Sequence, residues 1–253
     1  RADGSGLMAV NAVGLEDYVA GVVSAESPAS WPAEALKTQA IAARTYAITT
    51  NAGGAGGAFT QYADTRSQMY RGVAAETTTT NAAVRATAGQ VVTYQGRPVT
   101  TFFFSSSGGR TENVENGFVG SAPKPWLKSV RDPYDTVSPY HRWTPLRLTL
   151  GRATRLLGSS VKGTLREIRV TQRGVSPRVV RADVIGTRGT TTVTGPQLRR
   201  LLGLRDTWIR FRLITASTGR AARASVVPEI SVNLPGALPA QASRARPLVI
   251  RGR

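Results

Sequence analysis

Two stretches near the start of the chain decide its fold: LEDYVAGVVSAE at residues 15–26 and AEALKTQAIAARTYAIT at residues 33–49. In the first stretch Leu15, Val19 and Val22 follow the spacing of one helical face, and acidic residues occupy the first turn, where the helix dipole favours negative charge. The second stretch follows a proline, which suits the start of a helix, and its alanines allow another element to pack closely. The pattern predicts a pair of helices.

The rest of the chain up to residue 214 carries the signals of β-structure. A hairpin is predicted with strands at 90–94 and 98–104. Three further strands, a short helix closed by Gly203 and an alternating segment follow. Their predicted ranges are 165–171, 178–185 and 190–193 for the strands, 196–202 for the helix and 208–214 for the last segment.

These elements define an α+β chain, with an N-terminal helix pair packed on an antiparallel β-sheet and a second, mainly-β region with a short helix. We expect a first part at 1–140, a basic mainly-β part at 141–215 and an extended, Pro- and Arg-rich tail at 216–253. No apolar run reaches the roughly 18 residues needed to span a bilayer. Because the sequence opens without Met or a signal peptide, we expect a processed chain that contacts a membrane only through a removed N-terminal segment.

The net charge of +18 is concentrated in the second half, where residues 131–253 hold 23 Lys and Arg against 6 Asp and Glu. Such an excess predicts a polyanionic partner, which would be nucleic acid, an anionic membrane face or a phosphate-rich wall polymer. The alternative is a solvated surface in an arginine-rich sequence. Because no nucleic-acid-binding motif or aromatic–basic platform is recognised, nucleic acid is not expected as the partner.

The residue types present restrict the catalytic chemistry. The chain has one histidine and no cysteine, so it lacks the material for a Ser-His-Asp or Cys-His triad and for thiolate zinc ligation. The histidine, His141, lies in a loop-like stretch and is expected to be a hydrogen-bonded surface group. No HExxH spacing occurs, and we expect neither a metal nor a cofactor. A carboxylic acid is the remaining route to hydrolytic or lytic chemistry.

Glu26 is the candidate acid. It stands at the end of the first predicted helix, just before Ser27-Pro28, with apolar residues and Trp31 nearby in the sequence. Apolar and indole surface disfavours the charged form of a carboxyl group, so such a residue can hold a proton near neutral pH, as a general acid must. The alternative is a solvated glutamate at a helix end.

The two helical stretches resemble the signature of the stage II sporulation protein D family, also called the SpoIID/LytB family. Further segments resemble motifs of this family in the same order along the chain. They are residues 67–72, 83–90, 105–111, 127–133 and 194–207.

The resemblance implies an enzyme that cuts the MurNAc–GlcNAc bond of peptidoglycan glycan strands, a lytic transglycosylase, acting in sporulation on strands already stripped of stem peptides. In that reaction the sugar's own 6-hydroxyl closes an anhydro ring, so one acid/base suffices, in contrast to the carboxylate pair of ordinary glycosidases. The catalytic glutamate of the family falls on Glu26. The substrate-binding positions implied by the resemblance are Arg44, Gln39, Gln68, Ser107 and Gly108.

Two roles are open for Arg44. The resemblance implies that it holds a substrate carboxylate or orients the acid, whereas the alternative is a salt bridge to Glu34 or Glu16.

Three features depart from the family pattern. Some members carry a metal-binding His-Cys pair in the segment that here reads Thr65-Arg66-Ser67-Gln68, so zinc is not expected. Phe103-Phe104 stand where several members have Tyr-His, and a Gly-His-Gly-Val-Gly segment is absent. We therefore expect a divergent member or a chain that has lost a C-terminal piece.

Two functions follow from the resemblance. Retention of Glu26 and Arg44 together favours the enzyme, whereas the departures favour a non-catalytic amidase enhancer that binds the wall and stimulates another hydrolase. Both predict an extracytoplasmic protein, secreted or wall-associated, with glycan strands as its partner. Anionic wall polymers and a wall amidase are the further candidate partners.

Overall fold

The computed structural model describes residues 8–214 and 229–233. Both predicted N-terminal helices are present, with α1 at Leu15–Glu26 and α2 at Ala33–Thr49. Helix α1 ends where predicted because Ser27 is extended, the conformation preferred by a residue that precedes proline.

A third helix, α3 at Thr78–Ala86, packs against this pair and is absent from the sequence-based prediction. Its first turn consists of threonines, which are weak helix formers, but Thr77 and Thr80 form a reciprocal capping box at its start. The three helices share one apolar cluster, made by Val19, Val23, Leu36, Ala40, Ala83 and Val84. Within the first unit the helix pair thus packs on this third helix.

The predicted hairpin is present but short. Strands β1, Thr93–Tyr94, and β2, Arg97–Pro98, are antiparallel and flank Gln95 and Gly96. Both turn residues have positive φ, 51° and 75°, as a type I′ turn requires. Because Pro98 lacks a backbone donor, it suits the end of the ladder and not its middle.

The chain divides into two compact units, residues 1–104 and 105–253. The first unit holds α1, α2, α3 and the hairpin. The second holds the elements α4 (Val114–Gly117), β3 (Leu146–Thr149), α5 (Leu150–Leu157), β4 (Leu165–Arg173), β5 (Val179–Gly186), β6 (Gly189–Thr194), α6 (Gly195–Leu202), β7 (Arg210–Ile214) and β8 (Glu229–Asn233). Short 3-10 turns lie at Val73–Ala75, Asp135–Val137 and Gly158–Ser160.

Two antiparallel sheets build the second unit, with strand orders β4-β5-β6 and β3-β8-β7. The first sheet confirms the three predicted strands. Helix α6 confirms the predicted short helix, and Gly203 closes it in the left-handed conformation. A single apolar cluster joins α5, α6 and strands β3 to β7, and its fully buried members include Leu157, Leu165, Val184, Leu198 and Ile209. The α+β class is confirmed.

The predicted tail at 216–253 lies outside the described residues except for 229–233. These five form β8, the middle strand of its sheet, which pairs with β3 and β7. Within the described part of the chain, no helix has the length and apolar character needed to cross a bilayer.

A buried cation ties the first unit together. Arg44, on α2, has no exposed surface, and it donates to both carboxylate oxygens of Glu16 on α1, at 2.8 and 2.7 Å. Its remaining donors reach the backbone carbonyls of Gln90 (3.1 Å), Ala40 (3.4 Å) and Val84 on α3 (3.4 Å). A single guanidinium therefore bonds to all three helices and to the segment before β1.

Replacing Glu16 by Gln should destabilise the fold, because Arg44 would stay buried with its charge uncompensated. We expect a loss of about 1.5–3 kcal/mol in the free energy of unfolding, the range for hydrogen bonds to charged groups. Glu34→Gln is the matched control, since Glu34 is exposed and its one ion pair among the described residues is with Lys37, and it should cost less than about 0.5 kcal/mol. Urea unfolding measures both.

The same contact gives a pH dependence. The hydrogen bond from Arg44 lowers the pKa of Glu16, although burial opposes it. Glu16 therefore contributes fully to the free energy of unfolding above its unfolded-state pKa of about 4.3. This contribution is lost as the pH falls through the lower pKa of the folded state. Equal unfolding curves for Glu16→Gln and Glu34→Gln at pH 7 would contradict this assignment.

Candidate functional site

Glu26, the candidate acid, is the last residue of α1 and is partly exposed. Its Oε1 accepts a hydrogen bond of 2.7 Å from the backbone N–H of Met69. No other hydrogen bond to this carboxyl group is seen within residues 8–214, so Oε2 is open to carry a proton. The carboxyl group is thus oriented by a backbone donor and is not paired with a cation.

Residues 67–72 supply that donor and are fixed against α1. The Tyr70 ring stacks on Tyr18 of α1 with centroids 5.2 Å apart, and the N–H of Arg71 donates to the carbonyl of Gly21 at 3.4 Å. Gly21 allows this approach because a Cβ there would lie 2.5 Å from Cε2 of Tyr70. The ring stack and this hydrogen bond therefore hold the segment that orients Glu26.

Gln68 has 1% of its surface exposed and lies between α1 and α2. Its Nε2 donates to the Tyr18 hydroxyl and to the carbonyl of Ala43, each at 3.3 Å, while its Oε1 is buried with no partner among the described residues. Expected as a substrate contact, this side chain lies beneath the surface and positions Tyr18.

Tyr18 is a further residue of the candidate site that the sequence did not single out, although it stands within the first quoted stretch. Burial raises its pKa to about 12 and nearby Glu26 adds to the rise, whereas the hydrogen bond from Gln68 opposes it. The phenol therefore keeps its proton throughout the neutral range, and it interacts electrostatically with the candidate acid.

A cavity of about 910 Å³ borders the same tyrosines. Its walls include the rings of Tyr18, Phe59, Tyr62 and Tyr70 and the guanidinium of Arg66. Aromatic walls with a few polar groups are typical of binding sites for small ligands and sugar units. No residue of this cavity was among the predicted site residues.

The segment that holds a metal in some family members does not fit a zinc ion here. Arg66 forms an ion pair with Asp64 and lies 3.7 Å from the centre of the Tyr62 ring, so a fixed positive charge stands where a ligand would be needed. Ser67 accepts a hydrogen bond from the Tyr62 N–H. Within the described residues, no group of three or more His, Asp or Glu side chains could hold a metal.

The other predicted substrate contacts of the first unit lie on α2. Arg44 is buried in the ion pair with Glu16, which matches the alternative that its sequence position left open, and it offers no surface to a glycan. Gln39 is half-buried, and its Nε2 is buried with no partner among the described residues.

Ser107 and Gly108 belong to the second unit. Ser107 is buried, its hydroxyl donates to Asp132 at 2.7 Å, and its N–H donates to Asp135 at 2.6 Å, so it stabilises its loop. Gly108 has a φ of 69° and lies against the six-membered ring of Trp208, where an added Cβ would be 3.2 Å from the ring. Within the first unit the structure thus brings Glu26 and Gln68 together around residues 67–72.

Comparison with known proteins identifies the class. Residues 3–94 match the model of the SpoIID family, stage II sporulation protein. The resemblance seen in the motifs is confirmed, and the chain belongs to the SpoIID/LytB family.

The individual relatives carry two kinds of name. The chain is 33% identical over 210 residues to stage II sporulation protein D of Bacillus subtilis (strain 168), a match that covers 77% of this chain and 59% of that protein. It is 31% identical over 212 residues to the protein of the same name from Bacillus amyloliquefaciens, covering 78% and 60%. It is 39% identical over 132 residues to the amidase enhancer of Bacillus subtilis (strain 168), covering 52% and 17%. The chain thus spans about three fifths of the length of the sporulation relatives.

Substituting Gly21 by Ala should disturb the site through Tyr70. Alanine is favoured in a helix by about 1 kcal/mol, but overpacking against a ring usually costs about 1–3 kcal/mol, so we expect a net loss of stability. The contact of Met69 with Glu26 should loosen as Tyr70 moves. Thermal unfolding measures the loss, with Gly117→Ala as the control because a Cβ there meets no atom within 4 Å. A Gly21→Ala variant as stable as the control would contradict the described packing of Tyr70.

Proposed function

We propose that this chain is a peptidoglycan lytic transglycosylase that acts outside the cytoplasmic membrane, with Glu26 as its single general acid/base. The observation that carries the proposal is the position of Glu26, a partly exposed carboxyl group held by one backbone donor within the family's signature stretch. The cell-wall-related function of the family supports the substrate class.

The other acids of the first unit support the choice of Glu26, because most of them are engaged in the fold. Glu16 is bound by Arg44, Glu34 by Lys37, Asp64 by Arg66 and Glu76 by Asn81. The hydrogen bonds from Arg44 and Arg66 lower the pKa of Glu16 and of Asp64, so these two carboxyl groups hold a proton poorly near neutral pH.

The reaction needs one group that gives and then takes a proton. Glu26 in its acid form donates the proton to the glycosidic oxygen while the bond from that oxygen to C1 of the MurNAc unit breaks. The 6-hydroxyl of the same sugar attacks C1 to close the anhydro ring, and its proton passes to the Glu26 carboxylate. The enzyme is restored, and no water is consumed.

The surroundings of Glu26 fit both halves of this cycle. The N–H of Met69 stabilises the carboxylate left after proton donation and fixes its direction. Tyr18 stays neutral, so it does not compete as a base and offers a hydroxyl to the substrate. The aromatic cavity beside Tyr18 and Tyr70 is the proposed place for the sugar rings.

A second function has a specific observation in its favour. The match to an amidase enhancer covers about half of this chain, and it supports a wall-binding protein that stimulates an amidase without cutting glycan itself. In both proposals glycan strands are the partner, and anionic wall polymers are attracted by the basic second half.

Replacing Glu26 by Gln should abolish cleavage of stem-peptide-free glycan strands while preserving the fold and the binding of glycan. Gln keeps the volume and the acceptor for Met69 but has no acidic proton, and loss of general-acid catalysis typically lowers the rate by about 10²–10⁴-fold. The initial rate of product release measures the effect, with Glu34→Gln as the control for loss of an exposed glutamate.

The outcomes separate the two functions. A Glu26→Gln variant that keeps more than about a tenth of the wild-type rate would rule out Glu26 as the general acid. A wild-type chain that binds strands and stimulates an amidase without cutting would instead establish the enhancer function.

A further inference from the structure

The second unit contains a cavity that the proposed mechanism does not use. It has a volume of about 470 Å³ and lies among the loop at Gly108, the segment 140–143 and the region after α6. This volume suits one or two sugar rings, and the walls combine aromatic rings with cations.

Tyr140 and Trp143 form the aromatic part of the wall. Tyr140 is 53% exposed, and Trp143 is half-buried against the apolar core of the unit. A third ring, Trp208, is buried beside them, and its indole N–H has no partner among the described residues. Exposed aromatic rings backed by a rigid core provide flat apolar surface for the C–H face of a pyranose.

Two cations stand at the same cavity without an acidic partner. Arg199 and Arg205 are both exposed, and neither forms an ion pair within the described residues. The guanidinium of Arg205 lies 5.6 Å from the centre of the Tyr140 ring, and Arg199 donates to the carbonyl of Arg205 at 3.1 Å. The positive charge of Arg205 and the ring of Tyr140 therefore lie side by side.

The acidic residue of this wall does not neutralise them. Asp206 receives hydrogen bonds from Arg178 at 3.0 and 2.9 Å. Burial would raise the pKa of Asp206, but the bonds from Arg178 outweigh it and leave the pKa lowered. Since this carboxylate is already paired, the cavity keeps the positive charge of Arg199 and Arg205 and favours an anionic ligand.

His141, expected to be a surface group, is instead 8% exposed; it lies in the wall of this cavity, and a buried carboxylate holds it. Its Nδ1 lies 2.5 Å from Asp135, which also accepts from the hydroxyl of Ser106 and the N–H of Ser107. Such a pairing fixes the orientation of the ring, so its other nitrogen, Nε2, is left for a hydrogen bond with a sugar hydroxyl.

We propose that this cavity binds an acidic sugar, a hexosamine that bears a free carboxylate. Arg199 and Arg205 bind the carboxylate, Tyr140 and Trp143 pack on the ring, and His141 forms a hydrogen bond with a hydroxyl. The identity of the sugar rests on the proposed function, because the carboxylate-bearing unit of a wall glycan is N-acetylmuramic acid. Its lactyl carboxylate is free only where the stem peptide has been removed, so the cavity would recognise stripped strands.

The test compares ligands that differ only in this charge. Binding of N-acetylmuramic acid, of its lactyl methylamide and of N-acetylglucosamine is measured by ligand-observed NMR on the Glu26→Gln chain, where catalysis plays no part. We expect the acid to bind at least tenfold more tightly than the two neutral sugars. Arg199→Gln with Arg205→Gln should abolish this preference, whereas Arg200→Gln, an exposed position on the same helix outside the cavity wall, should retain it.

Each remaining outcome has a defined meaning. Equal binding of the acid and its methylamide, or a preference that survives the double substitution, would overturn the proposal. Displacement of the acid by glycerol phosphate at equal concentration would show a general anion site and would also overturn it. A wild-type chain that never cleaves strands but keeps the preference would reject the catalytic function and leave the cavity assignment standing.

Discussion

The buried guanidinium of Arg44 is the constraint on which the first unit depends. A cation without exposed surface must have its donors satisfied, and here they are distributed over Glu16 and three backbone carbonyls. Because these acceptors lie on α1, α2, α3 and the segment before β1, their positions are determined together. Glu26, at the end of α1, takes its position from this arrangement.

Local signals were sufficient for part of the fold. The ends of α1 and α2, the turn at Gln95-Gly96 and the cap at Gly203 follow from neighbouring residues, and all were predictable. Helix α3 was not, because its threonines favour other conformations, and the helix depends on its capping box and on packing against the pair. Strand β8 was not predictable from the sequence either, because its proline-rich surroundings gave no periodic pattern and its pairing partners are distant in sequence.

The candidate site was also predictable only in part from the sequence. The family motif located Glu26, but the role of Met69 comes from a backbone group, which a sequence pattern does not reveal. Gln68 and Ser107, expected at the substrate, are buried groups that fix Tyr18 and the loop at Asp132. The positive charge of the cavity in the second unit depends on which side chains are already paired, and a sequence pattern does not reveal that Arg178 binds Asp206.

The central claim is that the nucleophile is the sugar's own hydroxyl and not water. Digestion of stem-peptide-free glycan strands in water enriched in oxygen-18, followed by mass spectrometry of the products, tests it directly. If the 6-hydroxyl attacks, we expect anhydro-muramyl ends that are one water lighter than hydrolysis products and carry no oxygen-18. Reducing ends labelled with oxygen-18 would show that water attacks the sugar, and would contradict the account.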